Sequence, residues 1–177
     1  MRLSIKRKHK NLKQVRKLYL EAFPKEERLP WWVLRFTTVL NGVELSAFYD
    51  DGEFCGFTHT TITNDTVYIM FFAVNENLRS KGYGSAILEK LKQMHSGKTI
   101  ILNVEPLDGQ AANADQRVKR MRFYERNGFY DTGYNSTEVG GIFRVLSTKP
   151  NLDIKAYLRV FHKISFGFWQ PRVTRAK

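Results

Sequence analysis

A chain of 177 residues, 42% hydrophobic, 14% aromatic and 26% charged, has the size and apolar content of one packed domain, which excludes wholesale disorder. A single cysteine, Cys55, excludes an internal disulfide, and four scattered histidines (His9, His59, His95, His162) offer no metal-ligand spacing, so no metal is expected. The formal net charge of +12 sits at the ends: residues 1–20 carry eight Lys/Arg and no acid, residues 149–177 carry seven against Asp153 alone, and the middle is left at −2.

The N-terminal residues are charged but lead into no apolar run, and nowhere are there about eighteen uninterrupted apolar residues, so a cytoplasmic protein without a spanning helix is expected. Leu3-Ser4-Ile5 is a short strand candidate. Residues 11–22 place Leu12, Val15, Leu18, Tyr19 and Ala22 at helical spacing, ended by Phe23-Pro24. After the polar connection 25–30, a second helix is expected from Trp31 to Leu40, stopped by Asn41-Gly42.

From Val43 the period changes. Segments 43–49, 53–63 and 66–74 are rich in strand formers and are separated by the turn pairs Asp51-Gly52 and Asn64-Asp65, which predicts an antiparallel meander. A helix over 84–94 buries Ile87, Leu88, Leu91 and Met94, and a strand over 99–104 follows, so the helix is a crossover and the sheet is mixed. A polar loop over 106–115, a helix over 116–126 capped by Asn127-Gly128, and strands over 129–134 and 142–146 complete an α+β layered fold. Beyond Pro150, Ile154, Tyr157, Leu158, Phe161 and Ile164 line one side of a basic amphipathic helix.

The segment that carries chemistry is Arg79-Ser80-Lys81-Gly82-Tyr83-Gly84-Ser85, between a strand and a helix. Two glycines allow close backbone approach, and the free N–H groups of a first helical turn, aided by the helix dipole, attract an anion. Arg79 and Lys81 add positive charge, so a diphosphate suits the turn better than a neutral ligand. A solvated glycine turn is the bland alternative. Neither a dinucleotide fingerprint nor a P-loop fits: Ile87 stands where the third glycine would be, and Gly97-Lys98-Thr99 enters a strand.

Arg79-x-x-Gly82-x-Gly84 after an apolar strand, followed by Arg122-Phe123-Tyr124-Glu125-Arg126-Asn127-Gly128-Phe129, resembles the GCN5-related N-acetyltransferases (GNAT) over roughly residues 3–146. The resemblance implies a mostly antiparallel mixed sheet with splayed central strands, in a domain over 1–148 followed by a basic amphipathic extension over 149–177. It implies acetyl-CoA as cosubstrate, with the Arg79-to-Ser85 turn on the pyrophosphate and Phe72, Ala73 and Val74 along the pantetheine arm. It also implies Tyr124 as the acid that protonates the departing thiolate, a role that suits a phenol of ordinary pKa near ~10; the alternative for Tyr124 is an aromatic that packs its helix.

Many relatives carry Asn seven residues before that tyrosine. Here the position is Arg117 and the nearest asparagine is Asn113, and both are candidates for the cofactor. The basic segment Gln116-to-Arg122 either reaches the CoA phosphates or lines a solvated face.

Acetyl transfer to an amine also needs a proton acceptor. Glu105, at the end of the strand 99–104 and on the face of Asn103, is the first candidate base, against a plain solvated carboxylate. Glu26, Glu27 and Trp31 are candidates for a cationic acceptor, against an ordinary charged loop and a core tryptophan; His59 is a weaker option. The expected activity is acetyl transfer to a primary amine: a small amine, an amino acid, a peptide or an aminoglycoside. The alternative is a non-catalytic or anchoring module whose basic ends, with Phe166, Phe168 and Trp169, meet anionic lipid or nucleic acid. Docking of the C-terminal helix on its own sheet or on a second copy in a homodimer is the simpler expectation for that segment.

Overall fold

The computed structural model describes residues 1–7, 12–138 and 140–176; His9 and part of the basic N-terminal run lie outside them. Among these residues are eight strands and five α-helices in a mixed, mostly antiparallel α+β fold: β1 (Ser4–Arg7), α1 (Leu12–Ala22), α2 (Trp31–Thr37), β2 (Val43–Asp50), β3 (Glu53–Ile62), β4 (Thr66–Val74), α3 (Tyr83–Met94), β5 (Thr99–Val104), α4 (Ala114–Arg126), β6 (Tyr130–Glu138), β7 (Gly141–Ser147), α5 (Ile154–Ile164) and β8 (Arg172–Arg175). The chain forms two compact units, Met1–Ile62 with Ile69–Ser96, and Thr63–Tyr68 with Gly97–Lys177. None of the helices among the described residues is long and apolar enough to cross a membrane.

In the first unit β1 runs antiparallel to β2 and β2 to β3, in registers such as Ile5↔Phe48 and Leu45↔His59. The β2–β3 turn has φ 46° at Asp51 and 88° at Gly52. Two positive values in a two-residue loop match the right-handed twist of the strands they join, which is why Asp-Gly stands there. Val15, Leu18 and Tyr19 of α1 and Leu34 of α2 pack on Leu45, Ala47, Phe57, Phe71 and Ala73 of the sheet. Tyr19 is fully buried with its ring edge-on to Phe71 at 5.0 Å, and its hydroxyl donates to the Leu29 carbonyl at 3.0 Å, so the polar tip is satisfied inside an apolar layer.

The second helix ends three residues earlier than its sequence suggests, at Thr37 rather than Leu40. The Thr37 hydroxyl donates to the Leu34 carbonyl at 2.8 Å and that of Thr38 to Arg35 at 2.7 Å. These back-bonds compete with the helix ladder, and the β-branched run Thr37-Thr38-Val39 favours its close.

In the second unit the strand order is β5-β7-β6-β8, antiparallel throughout. Asp153 caps α5 by accepting the Ala156 N–H at 3.0 Å. The apolar face of α5, with Ala156, Tyr157, Val160 and Phe161, is buried, and Arg159 on its other side pairs with Asp65 at 2.6 Å. Beyond the helix, Phe166 (φ 55°) and Gly167 (φ 88°) turn the chain back and β8 pairs with β6 from Thr137↔Arg172 to Tyr134↔Arg175. No strand is expected there from the sequence. Only Val173 and Thr174 favour one, and its order comes from the β6 edge and from the Arg175 guanidinium 5.3 Å above the Tyr134 ring.

Candidate functional site

The first unit presents the glycine turn. Ser80 (φ 61°) and Gly82 (φ 86°) are left-handed, and Gly82 is the N-cap of α3 without any side-chain cap. The first helical N–H to turn back is that of Ala86, to the Gly82 carbonyl at 3.0 Å. The N–H groups of Tyr83, Gly84 and Ser85 therefore have no carbonyl within the helix. Ser80 and Lys81 are exposed beside them, and Arg79, also exposed, is 3.6 Å from Glu76. The Tyr83 hydroxyl donates to Asp50 Oδ2 at 3.1 Å while the Arg2 N–H donates to Oδ1 at 3.0 Å, which ties the turn to the end of β2. Three donors without an intrahelical carbonyl, two cations and a left-handed glycine fit a diphosphate.

The end of β4 leads into this turn. Ala73 is buried, and Phe72 and Val74 are half-buried. A Cβ on Gly56 of β3 would lie 2.3 Å from the Ala73 carbonyl oxygen, so the close approach of the two backbones requires glycine. Asn75 fixes the strand end twice, its N–H on the Cys55 carbonyl at 2.8 Å and its side-chain amide on that of Phe54 at 2.9 Å.

The second unit carries two carboxylates that differ in every partner. Glu105, just past β5, accepts Asn113 Nδ2 at 3.0 Å, Arg117 Nη2 at 3.0 Å and Arg120 Nη1 at 2.8 Å. Burial works to raise its pKa, but the Asn113 bond and the Arg120 and Arg117 charges outweigh it and hold the carboxyl below its ordinary range. Asn113 in turn accepts Arg117 Nε at 2.8 Å, and Arg117 Nη1 donates to the Pro106 carbonyl at 3.0 Å. The two residues that the resemblance offers to the cofactor are thus bound to each other and to Glu105.

Glu138, at the end of β6, receives all its donors on Oε1: Ser136 Oγ at 2.8 Å, the Tyr157 hydroxyl at 3.3 Å, and Asn103 Nδ2. Asn103 Nδ2 also donates to the Tyr157 oxygen at 2.7 Å. Burial raises the Glu138 pKa, and the bonds from Ser136, Tyr157 and Asn103 offset it only in part. No lysine or arginine among the described residues pairs with this carboxylate. Asn103, two residues before Glu105, lies on the face expected of it, but neither Glu138 nor Tyr157 stands out in the sequence. A single acid near a Gly-Gly turn and a tyrosine on an apolar helix face have no local signature.

Tyr124 is buried on α4, with its ring 5.2 Å from Phe123 and 5.6 Å from Phe129. Burial pushes its phenol up to about 12 against a smaller opposing pull from Arg120, so it stays protonated at neutral pH. Its carbonyl accepts Asn127 N–H at 3.0 Å and Phe129 N–H at 3.1 Å, which closes the helix at the Asn127-Gly128 pair.

The acceptor candidates in the first unit are less gathered. Glu27 is exposed in a short 3-10 turn, and the side chain of Glu26 lies outside the described residues. Trp31 is half-buried, 6.0 Å from Tyr19 at the border of the core. His59 is fully buried, with Nε2 3.0 Å from the Thr37 hydroxyl, and burial drives its pKa down to about 4. No group of three or more His, Cys, Asp and Glu among the described residues could hold a metal ion.

Residues 42–131, just over half of the chain, match the model of a family described as an acetyltransferase (GNAT) domain. Among solved structures, a protein from Bacteroides thetaiotaomicron described as a GNAT-family acetyltransferase is 23% identical with a TM-score of 0.76, over 94% of this chain and 99% of that one. A Bacillus subtilis acetyltransferase solved in complex with CoA is 19% identical with a TM-score of 0.57, over 82% and 97%. Arabidopsis thaliana Naa50, solved with the bisubstrate analogue CoA-Ac-MVNAL, is 22% identical with a TM-score of 0.59, over 83% and 98%. At these identities the likeness is one of fold. No curated protein matches the sequence.

Proposed function

The chain belongs to the GNAT acetyltransferase family, and from that premise we propose that it transfers the acetyl group of acetyl-CoA to a primary amine by direct attack. The observation that carries the reading is the Arg79-to-Ser85 turn, where three N–H groups without an intrahelical carbonyl and the exposed Arg79 and Lys81 surround a left-handed Gly82. These residues would hold the pyrophosphate, and the backbone of Phe72 to Val74 would bond the pantetheine amides as a neighbouring strand does. Acetyl-CoA supplies an activated thioester. Tyr124, protonated at neutral pH, supplies the proton that the leaving thiolate takes. In this reading Glu105 is a positioning carboxylate: it braces Asn113, Arg117 and Arg120 at the head of α4, and its two ionic bonds make it a poor proton acceptor.

The anchoring alternative has less support, because the apolar face of α5 is already covered within the second unit. Titration calorimetry with acetyl-CoA tests the proposal. The wild-type protein should bind; Arg79→Ala should weaken binding about tenfold, the equivalent of one charge-assisted bond. Gly82→Asp, which puts a side chain at φ 86° and a negative charge at the helix N-terminus, should abolish it. A folded wild-type protein that does not bind acetyl-CoA overturns the reading.

A further inference from the structure

We infer that Glu138, with Asn103 and Tyr157, forms the subsite that takes the acceptor as a protonated primary amine and removes its proton. The inference rests on the acetyl-transfer reading above and names the group that reading lacks.

Three donors converge on Glu138 Oε1, and none of the described residues donates to Oε2. Asn103 spends its amide N–H groups on Glu138 and on Tyr157, which leaves its Oδ1 buried without any hydrogen bond. Asn103 Oδ1 is a buried acceptor without a donor, and Glu138 is a half-buried carboxylate without a cation among the described residues, so both would gain from a ligand with several N–H groups and a positive charge. A primary ammonium has three such donors on one atom. A quaternary ammonium has none, and an anion would be repelled.

The surroundings keep the carboxylate responsive. Tyr157 of α5 is fully buried and Tyr68 of β4 is 4% exposed, and the two rings lie 6.0 Å apart. The groups that face Glu138 are thus two phenols, one serine and one amide. No cation among the described residues lowers its affinity for a proton, in contrast to Glu105.

The proton balance closes. The bound ammonium gives one proton to Glu138 Oε2 and becomes a nucleophile. Its nitrogen forms the C–N bond to the acetyl carbon, the C–S bond breaks, and the thiolate takes the Tyr124 phenol proton. The second nitrogen proton returns to Tyr124 through solvent, and Glu138 releases its own, for one proton per turnover.

Carbon-13 NMR of protein labelled at glutamate carboxyls, with the Glu138 signal assigned by its loss in Glu138→Gln, tests the subsite without acetyl-CoA. Millimolar n-propylammonium should shift that signal, and tetramethylammonium should not. No shift with n-propylammonium, or an equal shift with both, overturns the inference. In acetyl transfer to n-propylamine, Glu138→Gln should lower kcat/KM about 100-fold and flatten the acidic limb of its pH profile, while acetyl-CoA affinity by calorimetry stays within about twofold. Glu138→Asp should recover part of the rate. An unchanged rate in Glu138→Gln overturns the inference but leaves the acetyltransferase reading standing; loss of acetyl-CoA binding by the wild type overturns that reading instead.

Discussion

Glu105 and Glu138 belong to one compact unit, and Asn103 and Glu105 are two residues apart on the same strand end, yet the two carboxylates are built for opposite states. Glu105 has two arginines and an asparagine, and holds its charge. Glu138 has three neutral donors on one oxygen and no cation among the described residues, and gives up its charge more readily. The difference teaches which acid can do proton chemistry. A base must accept a proton without dismantling its surroundings; protonating Glu105 would break its ionic bonds to Arg117, whose side chain is 18% exposed, and to Arg120, whereas protonating the half-buried Glu138 removes a charge that no cation among the described residues balances.

The largest expected effect follows from that brace. Glu105→Ala takes the carboxylate from Arg117, Arg120 and the Asn113 amide; removing one partner of a buried pair costs roughly 3–5 kcal/mol, and the lower end is expected here because Arg120 is 44% exposed and Arg117 keeps the Asn113 and Pro106 oxygens. Thermal unfolding near neutral pH should show it as a fall in Tm. Because the folded-state pKa of Glu105 is depressed, its contribution is present above the ordinary carboxylate range and is lost as pH falls through the folded value. Wild type and Glu105→Ala should therefore converge in acid. A variant as stable as wild type at pH 7 would mean that Glu105 is an ordinary surface acid, and the contrast with Glu138 would disappear.

Both halves of this comparison were legible to different degrees in the sequence. The elements from residue 12 to residue 147 follow from periodicity and turn pairs, because each segment is long enough to show its period and, Ser80 apart, the residues there with positive φ are Gly or Asp. The glycine turn before α3 was legible for the same reason: its chemistry lies in backbone conformation, and only certain residues allow that. The carboxylates were not. Glu105 was visible as an acid at a strand end, but its arginines come from a helix that starts nine residues later, and a run of basic residues reads equally as a solvated face. Glu138 meets Asn103 and Tyr157 from 35 and 19 residues away, and no local pattern encodes such a meeting. β8 has no signature in the sequence, because a four-residue edge strand with arginine at both ends takes its order from its neighbour.

A second acid-sensitive group must be separated before either carboxylate is read from a pH titration. His59 is fully buried with a pKa driven down to about 4, so the unfolded chain binds its proton at higher pH than the folded one. Its neutral form contributes stability above the unfolded value of about 6.5, and that contribution is lost as pH falls toward 4, for roughly 3 kcal/mol in all. Urea unfolding at a series of pH values should show this loss in wild type and not in His59→Gln. A wild-type curve that is flat between these values would show that the imidazole is reached by solvent or pairs with an acid.

With that slope removed, Glu138→Gln gives the smallest and most discriminating effect. Glutamine keeps the shape, keeps an acceptor for Ser136, Tyr157 and Asn103, and takes away a half-buried charge that pairs with no cation among the described residues. Because burial raises the folded-state pKa, the wild-type carboxylate costs stability above that value and costs nothing once pH falls below the unfolded value. In the His59→Gln background, Glu138→Gln should therefore raise stability at neutral pH, on the order of 1 kcal/mol, and the gain should vanish in acid. Glu105→Ala moves the other way, since its cost is greatest at neutral pH. A carboxylate whose removal stabilises the fold but slows acetyl transfer is retained for chemistry; one whose removal destabilises it at neutral pH is retained for structure. If Glu138→Gln lowers stability at neutral pH as Glu105→Ala does, then Glu138 is a second brace and the division of labour between the two acids fails.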